Sequence, residues 1–364
     1  MKKKVLIAMS GGVDSSVAAA LLVEAGHEVE GVTLRLWDPA QRGVSGPLAA
    51  GVQKAQEDAA AVARLLGIPH QGVSFEEEFR GEVMDYFARE YRLGRTPNPC
   101  IVCNRHIKFG RLWEYAQGLG CDAMATGHYA RVAGNEKTGT WSLYEGKDPR
   151  KDQSYMLARI APSMLSKVLF PLGEMTKKRV REKAKALHLP VHEKAESQEI
   201  CFIPDQDYGK FLAFYDPSMA GEGARGVVRT KDGKVLGTHE GYYHYTRGQR
   251  RGLRIPFTER LYVLSTDPAT REVVVGKKED LLNRVFTVVS VNWLVEPSVG
   301  TNLRICAKIR SQHPKSPALA EIKTRESVRV SFDEPQESIT PGQGAVFYEG
   351  SRVLGGGWID EILE

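Results

Sequence analysis

Ser10-Gly11-Gly12-Val13-Asp14-Ser15-Ser16 stands between a short apolar run, Val5–Met9, and a helical pattern over Ser15–Ala25 that Gly26 is placed to stop. Gly11 and Gly12 let a backbone turn tightly and approach a ligand without a Cβ in the way. The N–H groups at the helix start, joined by the serine hydroxyls, make a cradle for phosphate. An acid does not itself attract phosphate, so Asp14 suits a Mg²⁺ ligand or a partner that orients the loop. The Gly-Lys-Ser/Thr ending of a Walker A loop is missing, and the spacing is not GxGxxG. Val32-Thr33-Leu34-Arg35, at the end of the second predicted strand, falls where a doubly wound sheet would place an adenine pocket.

The second group of reactive residues is the cysteines: Cys100, Cys103, Cys121, Cys201 and Cys306. In Thr96-Pro97-Asn98-Pro99-Cys100-Ile101-Val102-Cys103-Asn104, two prolines extend the approach and leave Cys103 beside a predicted helix start at Asn104. A helix N-terminus, with Arg105, His106 and Lys108 nearby, would stabilise a thiolate and make Cys103 nucleophilic near neutral pH. A third motif, Glu196-Ser197-Gln198-Glu199-Ile200-Cys201-Phe202-Ile203-Pro204, carries Cys201. Three readings compete. The thiols could be buried and structural, as expected for Cys121 and Cys306. Cys100-x-x-Cys103 has zinc spacing, but no second CxxC follows, so a zinc ribbon is disfavoured; Cys100, Cys103 and Cys201 could instead hold three irons of a 4Fe–4S cluster, leaving one iron open for sulfide. Or one cysteine carries a persulfide and another resolves it through a disulfide.

The elements that must position these groups read as alternating strands and helices: Glu28–Leu36 strand, Gln53–Leu66 helix, Pro69–Phe75 strand, Glu76–Arg92 helix, Asn104–Gln117 helix, Ala123–Thr126 strand. That alternation argues for an α/β fold with a parallel sheet. Leu36–Gly51, rich in Gly and Pro, breaks the rhythm and reads as a loop near the site. Thr176–Leu187 reads as a basic helix, a solvated face or a phosphate-facing one. Beyond about Gly209 short β patterns take over: Gly226–Thr230, Val235–Gly237, Leu261–Asp267, Val273–Lys277, Val285–Trp293, Leu303–Ile309, Ser327–Phe332 and Gly344–Tyr348, dividing near Asp280. They suggest small β-barrels or sandwiches.

With 364 residues the chain can bury cores without metal or disulfide, and 42% hydrophobic and 26% charged residues are ordinary for a soluble protein. A net charge of +5 permits a nucleic-acid partner without demanding one. Sparse, odd-numbered cysteines do not fit a secreted disulfide framework. Val5–Met9 is too short for a signal segment, and no run approaches a membrane span, so a cytoplasmic home and no membrane partner are expected.

SGGxDS after a strand resembles the PP-loop of ATP pyrophosphatases, which release pyrophosphate and transfer AMP to a substrate oxygen. Together with TPNPCIVCNRHIKFG, ESQEICFIP, ATGHYAR, KDQSYML and YTRGQRRGL, in this order and spanning nearly the whole chain, it closely resembles the bacterial tRNA-specific 2-thiouridylase family. The resemblance implies a Rossmann-like PP-loop ATPase domain over 1–208, a small central β domain over 209–280 and a C-terminal, tRNA-binding β-barrel over 281–364. It implies ATP and Mg²⁺, and 2-thiolation of the wobble uridine in tRNAs for Lys, Glu and Gln. ATP would be bound by Ala8, Met9, Ser10, Gly11, Gly12, Val13, Asp14, Ser15, Leu34 and Gly127. Cys103 would be the nucleophile and Cys201 the persulfide carrier. Asn98, Pro99 and Cys100 would face the target base; His128, Lys151, Asp152, Gln153, Arg310, Ser311 and Gln343 would touch tRNA. Well-known members have Asp where this chain has Cys100, and the change completes the three-cysteine set. Sulfur would come from a sulfur-relay protein, a cysteine desulfurase or free sulfide.

The target base must leave its stack to be modified. Lys and Arg on the basic helix and in Arg247–Arg254 could neutralise phosphates, and Tyr242, Tyr243 and Tyr245 could stack on bases or simply pack. The rivals are another AMP-forming PP-loop synthetase acting on a small molecule, which leaves the cysteines unexplained, and a non-catalytic RNA-binding factor.

Overall fold

A computed structural model describes residues 2–38, 47–135, 137–195, 200–203, 207–253, 255 and 259–364. Part of the expected loop (39–46), Glu196–Glu199 and Pro204 of the Cys201 motif, and Arg254 lie outside the described residues. The chain forms two units, one of residues 1–82, 100–198 and 349–354, the other of 83–99, 199–348 and 355–364.

The helices in chain order are α1 (Val13–Glu24), α2 (Pro47–Leu66), α3 (Glu76–Phe79), α4 (Asp85–Arg92), α5 (Pro99–Cys103), α6 (Leu112–Gly118), α7 (Ser154–Leu157), α8 (Lys177–Ala186) and α9 (Tyr208–Tyr215). In the first unit β1 (Lys4–Ala8), β2 (Glu28–Arg35), β3 (His70–Ser74), β4 (Ala123–Ala125) and β7 (Val168–Leu169) form a parallel sheet in the order β3-β2-β1-β4-β7. Val5, Leu6 and Ile7 are fully buried, as the unbroken apolar run of a central parallel strand requires. Val17, Ala18, Val62, Val180 and Ala184 of α1, α2 and α8 join the same core. The strand order reverses at β1, so the turns following β1 and β4 flank the switch point where such sheets bind ligands. The α/β expectation is met.

Two local readings change. Pro47–Gly51, read as loop, is the first turn and more of α2; a proline is tolerated at the first helical position. The helix expected from Asn104 begins at Pro99 and runs through a π-helical stretch, Asn104–Arg111, into α6. Glu76–Arg92 is helical as expected, with a π turn at Arg80–Met84 between α3 and α4. A hairpin of β5 (Ala130–Asn135) and β6 (Thr140–Glu145) was not anticipated; Arg352 and Val353 pair with its Tyr144 and Leu143.

In the second unit β8 (Gly226–Thr230), β9 (Val235–His239), β10 (Tyr262–Asp267) and β11 (Glu272–Gly276) form a sheet in the order β10-β11-β8-β9, with β8 and β11 parallel. β12 (Leu282–Trp293), β13 (Asn302–Lys308), β14 (Ser316–Ile322), β15 (Ser327–Glu337), β16 (Gly344–Glu349) and β17 (Arg352–Ile362) follow in the order β12-β15-β14-β13-β16-β17, and β12–β17 pairing closes a barrel. Closure removes exposed edges, and Phe286, Val288, Val330, Phe332 and Ile359 fill its inside. β14 and β17 escaped the sequence reading because Pro317 and Gly355-Gly356-Gly357 depress strand propensity. The glycines serve close approach: a Cβ on Gly355 would lie 2.4 Å from the Asn292 carbonyl oxygen.

Candidate active site

The phosphate loop is shaped from within. Gly11 takes a positive φ of 68°, and a Cβ there would lie 2.1 Å from the Ala55 carbonyl oxygen, so α2 presses against the loop. The Ser15 hydroxyl accepts from the Ser10 N–H (3.1 Å) and donates to the Gly12 carbonyl (3.2 Å); the Ser16 hydroxyl donates to the same carbonyl (2.8 Å). Gly12 caps α1 in extended conformation with no side chain on the first-turn N–H groups, which suits an anion. Gly127 faces the loop from the end of β4: a Cβ on it would lie 2.7 Å from the Ser15 nitrogen. Ala8 and Met9 stand beside the end of β2, where the Met9 N–H donates to the Val32 carbonyl (2.7 Å), the Thr33 hydroxyl donates to the Met9 carbonyl (2.9 Å), and Leu34 follows, half-buried.

Two lysines reach this loop, and the motif gave neither. Lys177 Nζ donates to both Asp14 carboxylate oxygens (2.7 and 2.8 Å), and the buried Tyr129 hydroxyl donates to one of them (2.7 Å). Lys194 Nζ donates to the Gly11 carbonyl (3.0 Å) and to Asp58 (2.7 Å), which also pairs with Lys54 (2.9 Å). Burial pushes the Asp58 carboxyl up, but hydrogen bonds from Lys194 and Lys54 outweigh it and hold the group below the usual carboxylate range. Asp14 is thus tied to Lys177 through both carboxylate oxygens and to Tyr129 through one of them. The α8 side chains are not all a solvated face: Lys177 turns inward with its side chain only 12% exposed.

Cys103 departs from its expected chemistry. It closes α5 in helical conformation, several residues past the helix start, and is 8% exposed. Burial pushes its thiol up to about 11, and Lys108 opposes this only in part. At neutral pH Cys103 is therefore a thiol, not the thiolate the sequence suggested. Cys100, one turn earlier, is exposed. Cys121 is buried and its thiol is raised by that burial, while Cys306 lies half-buried on β13. In the second unit Cys201 is exposed, and Phe202 and Ile203 next to it are buried. The Phe202 ring meets Phe87 and Phe211 edge-on at 5.4 and 5.1 Å, so the exposed thiol rides on an aromatic anchor. Among the described residues no group of three His, Cys, Asp or Glu side chains is gathered as a metal would need.

The residues expected at tRNA mostly have structural partners. His128 pairs with the Thr126 hydroxyl through Nδ1 (2.7 Å) and packs near Phe109 and Phe170; burial, aided by Lys108, holds it well below its ordinary pKa, so the ring is neutral. Asp152 accepts from the Gly146 and Ser154 N–H groups, Gln153 accepts from the Tyr129 N–H (3.0 Å), and Lys151 is half-buried beside them. Arg310 donates to the Glu337 carbonyl (3.2 Å), and Ser311 is half-buried. Gln343 donates to the Thr96 and Pro97 carbonyls, while Asn98 and Pro99 are buried. Arg247, grouped with possible phosphate contacts, turns inward onto Asn283 (2.7 Å) and the Leu264 carbonyl; Arg250 and Arg251 stay exposed. Tyr242 and Tyr243 are buried, and the Tyr242 hydroxyl donates to the Arg92 carbonyl (2.9 Å), which is packing rather than base stacking.

A parallel sheet with a serine- and glycine-built anion loop at its switch point defines a Rossmann-like nucleotide-binding enzyme of the PP-loop class. Residues 3–205 match the profile of the tRNA methyl transferase HUP domain, 210–277 that of the tRNA methyl transferase PRC-barrel domain, and 283–359 that of the aminomethyltransferase beta-barrel domain. The tRNA-specific 2-thiouridylase MnmA of Solibacter usitatus is 46% identical over 371 residues, covering 99% of this chain and 100% of its own. That of Carboxydothermus hydrogenoformans is 46% identical over 100% of this chain and 99% of its own, and that of Syntrophotalea carbinolica 48% over 98% of each. The chain belongs to the tRNA-specific 2-thiouridylase family, and it is an enzyme of that family. No helix among the described residues is long and apolar enough to cross a membrane.

Proposed function

We propose that the protein thiolates carbon 2 of the wobble uridine in tRNAs for Lys, Glu and Gln, in the cytoplasm, at the expense of ATP. The observation that carries this reading is the phosphate loop with Lys177 and Lys194 drawn to it, in a chain that also bears paired cysteines on α5 and an exposed Cys201. The uridine carbonyl is a poor electrophile with a poor leaving oxygen. Its oxygen attacks the α-phosphorus of ATP, the bond to pyrophosphate breaks, and carbon 2 acquires an adenylate as leaving group. The loop amides and the two ammoniums hold the departing pyrophosphate, and Mg²⁺ on Asp14 would add Lewis-acid stabilisation.

The sulfur half runs through thiols. The terminal sulfur of a Cys201 persulfide attacks carbon 2 and AMP departs. Cys103, once deprotonated, attacks the Cys201 sulfur, the sulfur–sulfur bond of the persulfide breaks, and sulfur stays on the base. A Cys103–Cys201 disulfide results, and an external dithiol reduces it. A relay protein, a cysteine desulfurase or sulfide with an oxidant would reload Cys201. Asn98, Pro99 and Cys100 would face the extruded base, and His128, Lys151, Asp152, Gln153, Arg310 and Ser311 would lie along the tRNA path.

The test is direct. Purified protein with ATP, a persulfide source and wobble-uridine tRNA transcripts yields thiolated tRNA, seen as retarded migration in a mercury gel. Pyrophosphate release on a small acid with no retardation of any tRNA would move the assignment to an amide-forming synthetase. Unretarded tRNA that nevertheless binds would leave only an RNA-binding factor.

A further inference from the structure

The loop between β6 and α7 has two sides. Outward it presents Lys147 and Arg150, both exposed, with Lys151 half-buried beside them. A basic edge of this kind suits backbone phosphates. Inward the loop is closed on itself. Asp152 accepts from the Gly146 N–H (2.9 Å), the Ser154 N–H (3.1 Å) and the Ser154 hydroxyl (2.9 Å), and the Lys151 N–H donates to the Asp148 carbonyl (3.0 Å). Its two ends thus share one carboxylate.

Two routes lead from this loop to Asp14 of the phosphate turn. On the first, Gln153 and Tyr129 exchange hydrogen bonds: the Gln153 N–H donates to the Tyr129 carbonyl (2.9 Å), and the Tyr129 N–H donates to the Gln153 side-chain oxygen (3.0 Å). Gly146 packs on the same peptide, since a Cβ there would lie 2.7 Å from the Tyr129 carbonyl oxygen. The Tyr129 hydroxyl, at the far end of the side chain, donates to Asp14 (2.7 Å). On the second route Asp148 accepts from the Arg150 N–H (3.1 Å) and, through its other oxygen, from the Lys177 N–H (3.0 Å) at the start of α8. Lys177 Nζ then donates to both oxygens of Asp14. Tyr129 is 2% exposed and Asp148 6%, so in a close-packed interior neither shifts apart from its neighbours.

We infer that Tyr129 and Asp148 are positioning residues that couple the basic loop 146–153 to the phosphate turn. Seating the loop's outer edge sets the Asp14 carboxylate, and phosphate bound at the turn stiffens the outer edge in return, because coupling between two sites is reciprocal. The occupant of the edge is the tRNA backbone; that clause alone rests on the proposed thiolation. The wiring from edge to turn is a property of the free chain. Tyr129→Phe removes the hydroxyl and keeps the ring. Asp148→Asn keeps one acceptor oxygen and loses the other, so it weakens the second route independently of the first.

The experiment uses the full chain and has two arms. In the first, without tRNA, hydrogen–deuterium exchange of the peptides covering 146–153 is followed with and without inorganic pyrophosphate. Pyrophosphate slows exchange there about tenfold in the wild type and under about threefold in Tyr129→Phe, with Asp148→Asn between them. In the second, calorimetry gives the pyrophosphate affinity with and without unmodified wobble-uridine tRNA: tRNA tightens it about tenfold in the wild type and under about threefold in either variant. Each variant carries the test alone if the other does not fold. Wild-type loop peptides that exchange equally with and without pyrophosphate would overturn the inference. So would a Tyr129→Phe protein that melts earlier yet keeps the whole of the pyrophosphate effect, since the hydroxyl would then serve packing only. Protection of the loop by pyrophosphate that is lost in Tyr129→Phe, with no tRNA bound by any of the proteins, would sink the tRNA reading and leave the coupling standing.

Discussion

The phosphate loop and the cysteine helix belong to the same unit, and they differ in how far each is prepared for chemistry. At the loop every shaping group is in place: serines hold the turn, Gly127 makes room, and Lys177 and Lys194 bring charge. At α5 the reactive group is held back, for Cys103 is buried and its proton is retained to about pH 11. A loop that meets a soluble nucleotide at every turnover gains from preorganisation. A permanently exposed, ionised thiol would instead react with any oxidant. On the proposed mechanism, adenylation is ready before the sulfur step, and Cys103 becomes nucleophilic only when the base and its adenylate arrive.

The sharpest break in that comparison is Cys201→Ser. Thiolation should fall by about three orders of magnitude or more, as for loss of a covalent participant, with pyrophosphate release on tRNA retained. Retained thiolation on a mercury gel would remove Cys201 from the mechanism. Next comes the ionisation of Cys103 itself. With its thiol near 11, its thiolate fraction at pH 8 is about 10⁻³, so iodoacetamide should label exposed Cys201 about a hundredfold faster. Labelling of Cys103 should rise with pH up to about 11, the sign expected because burial favours the neutral thiol. Equal labelling of both at pH 7, read by mass spectrometry, would mean that Cys103 is already ionised.

On the loop side, Lys177→Met should weaken pyrophosphate binding by roughly 10- to 100-fold, the worth of a charged hydrogen bond of about 1.5–3 kcal/mol. Lys177→Arg should recover part of it. Calorimetry giving the same affinity for all three proteins would leave Lys177 as a partner of Asp14 alone. The smallest effect is expected at Asp58→Asn, with a loss of about 1 kcal/mol and a lower Tm. Because the Asp58 pKa is held below its unfolded value, that difference is fully present above about pH 4 and closes as pH falls through the folded pKa. A gap that instead widened in acid would reverse the assigned electrostatics.

Much of this was written locally, and the rest was not. SGGVDSS announces a phosphate turn because glycine freedom and serine hydroxyls act within a few residues. Lys177 and Lys194 are invisible by the same test: Lys177 sits in a run of basic residues and Lys194 between two glutamates, and only the folding of α8 beside α1 turns Lys177 inward. The raised thiol of Cys103 was not legible, because the positive residues after it are evident in sequence, whereas burial by distant residues is not. Strands β14 and β17 were hidden by a proline and by glycines that answer to a neighbouring backbone rather than to strand propensity.

The pairing of Arg352 and Val353 with β6 ties residues near the end of the chain to a hairpin made less than halfway along it. A chain emerging from the ribosome must hold that hairpin with an open edge until residues 352 and 353 have been synthesised. Such long-range closure slows folding, and it leaves chains cut short before Ser351 with an unpaired strand edge that invites aggregation.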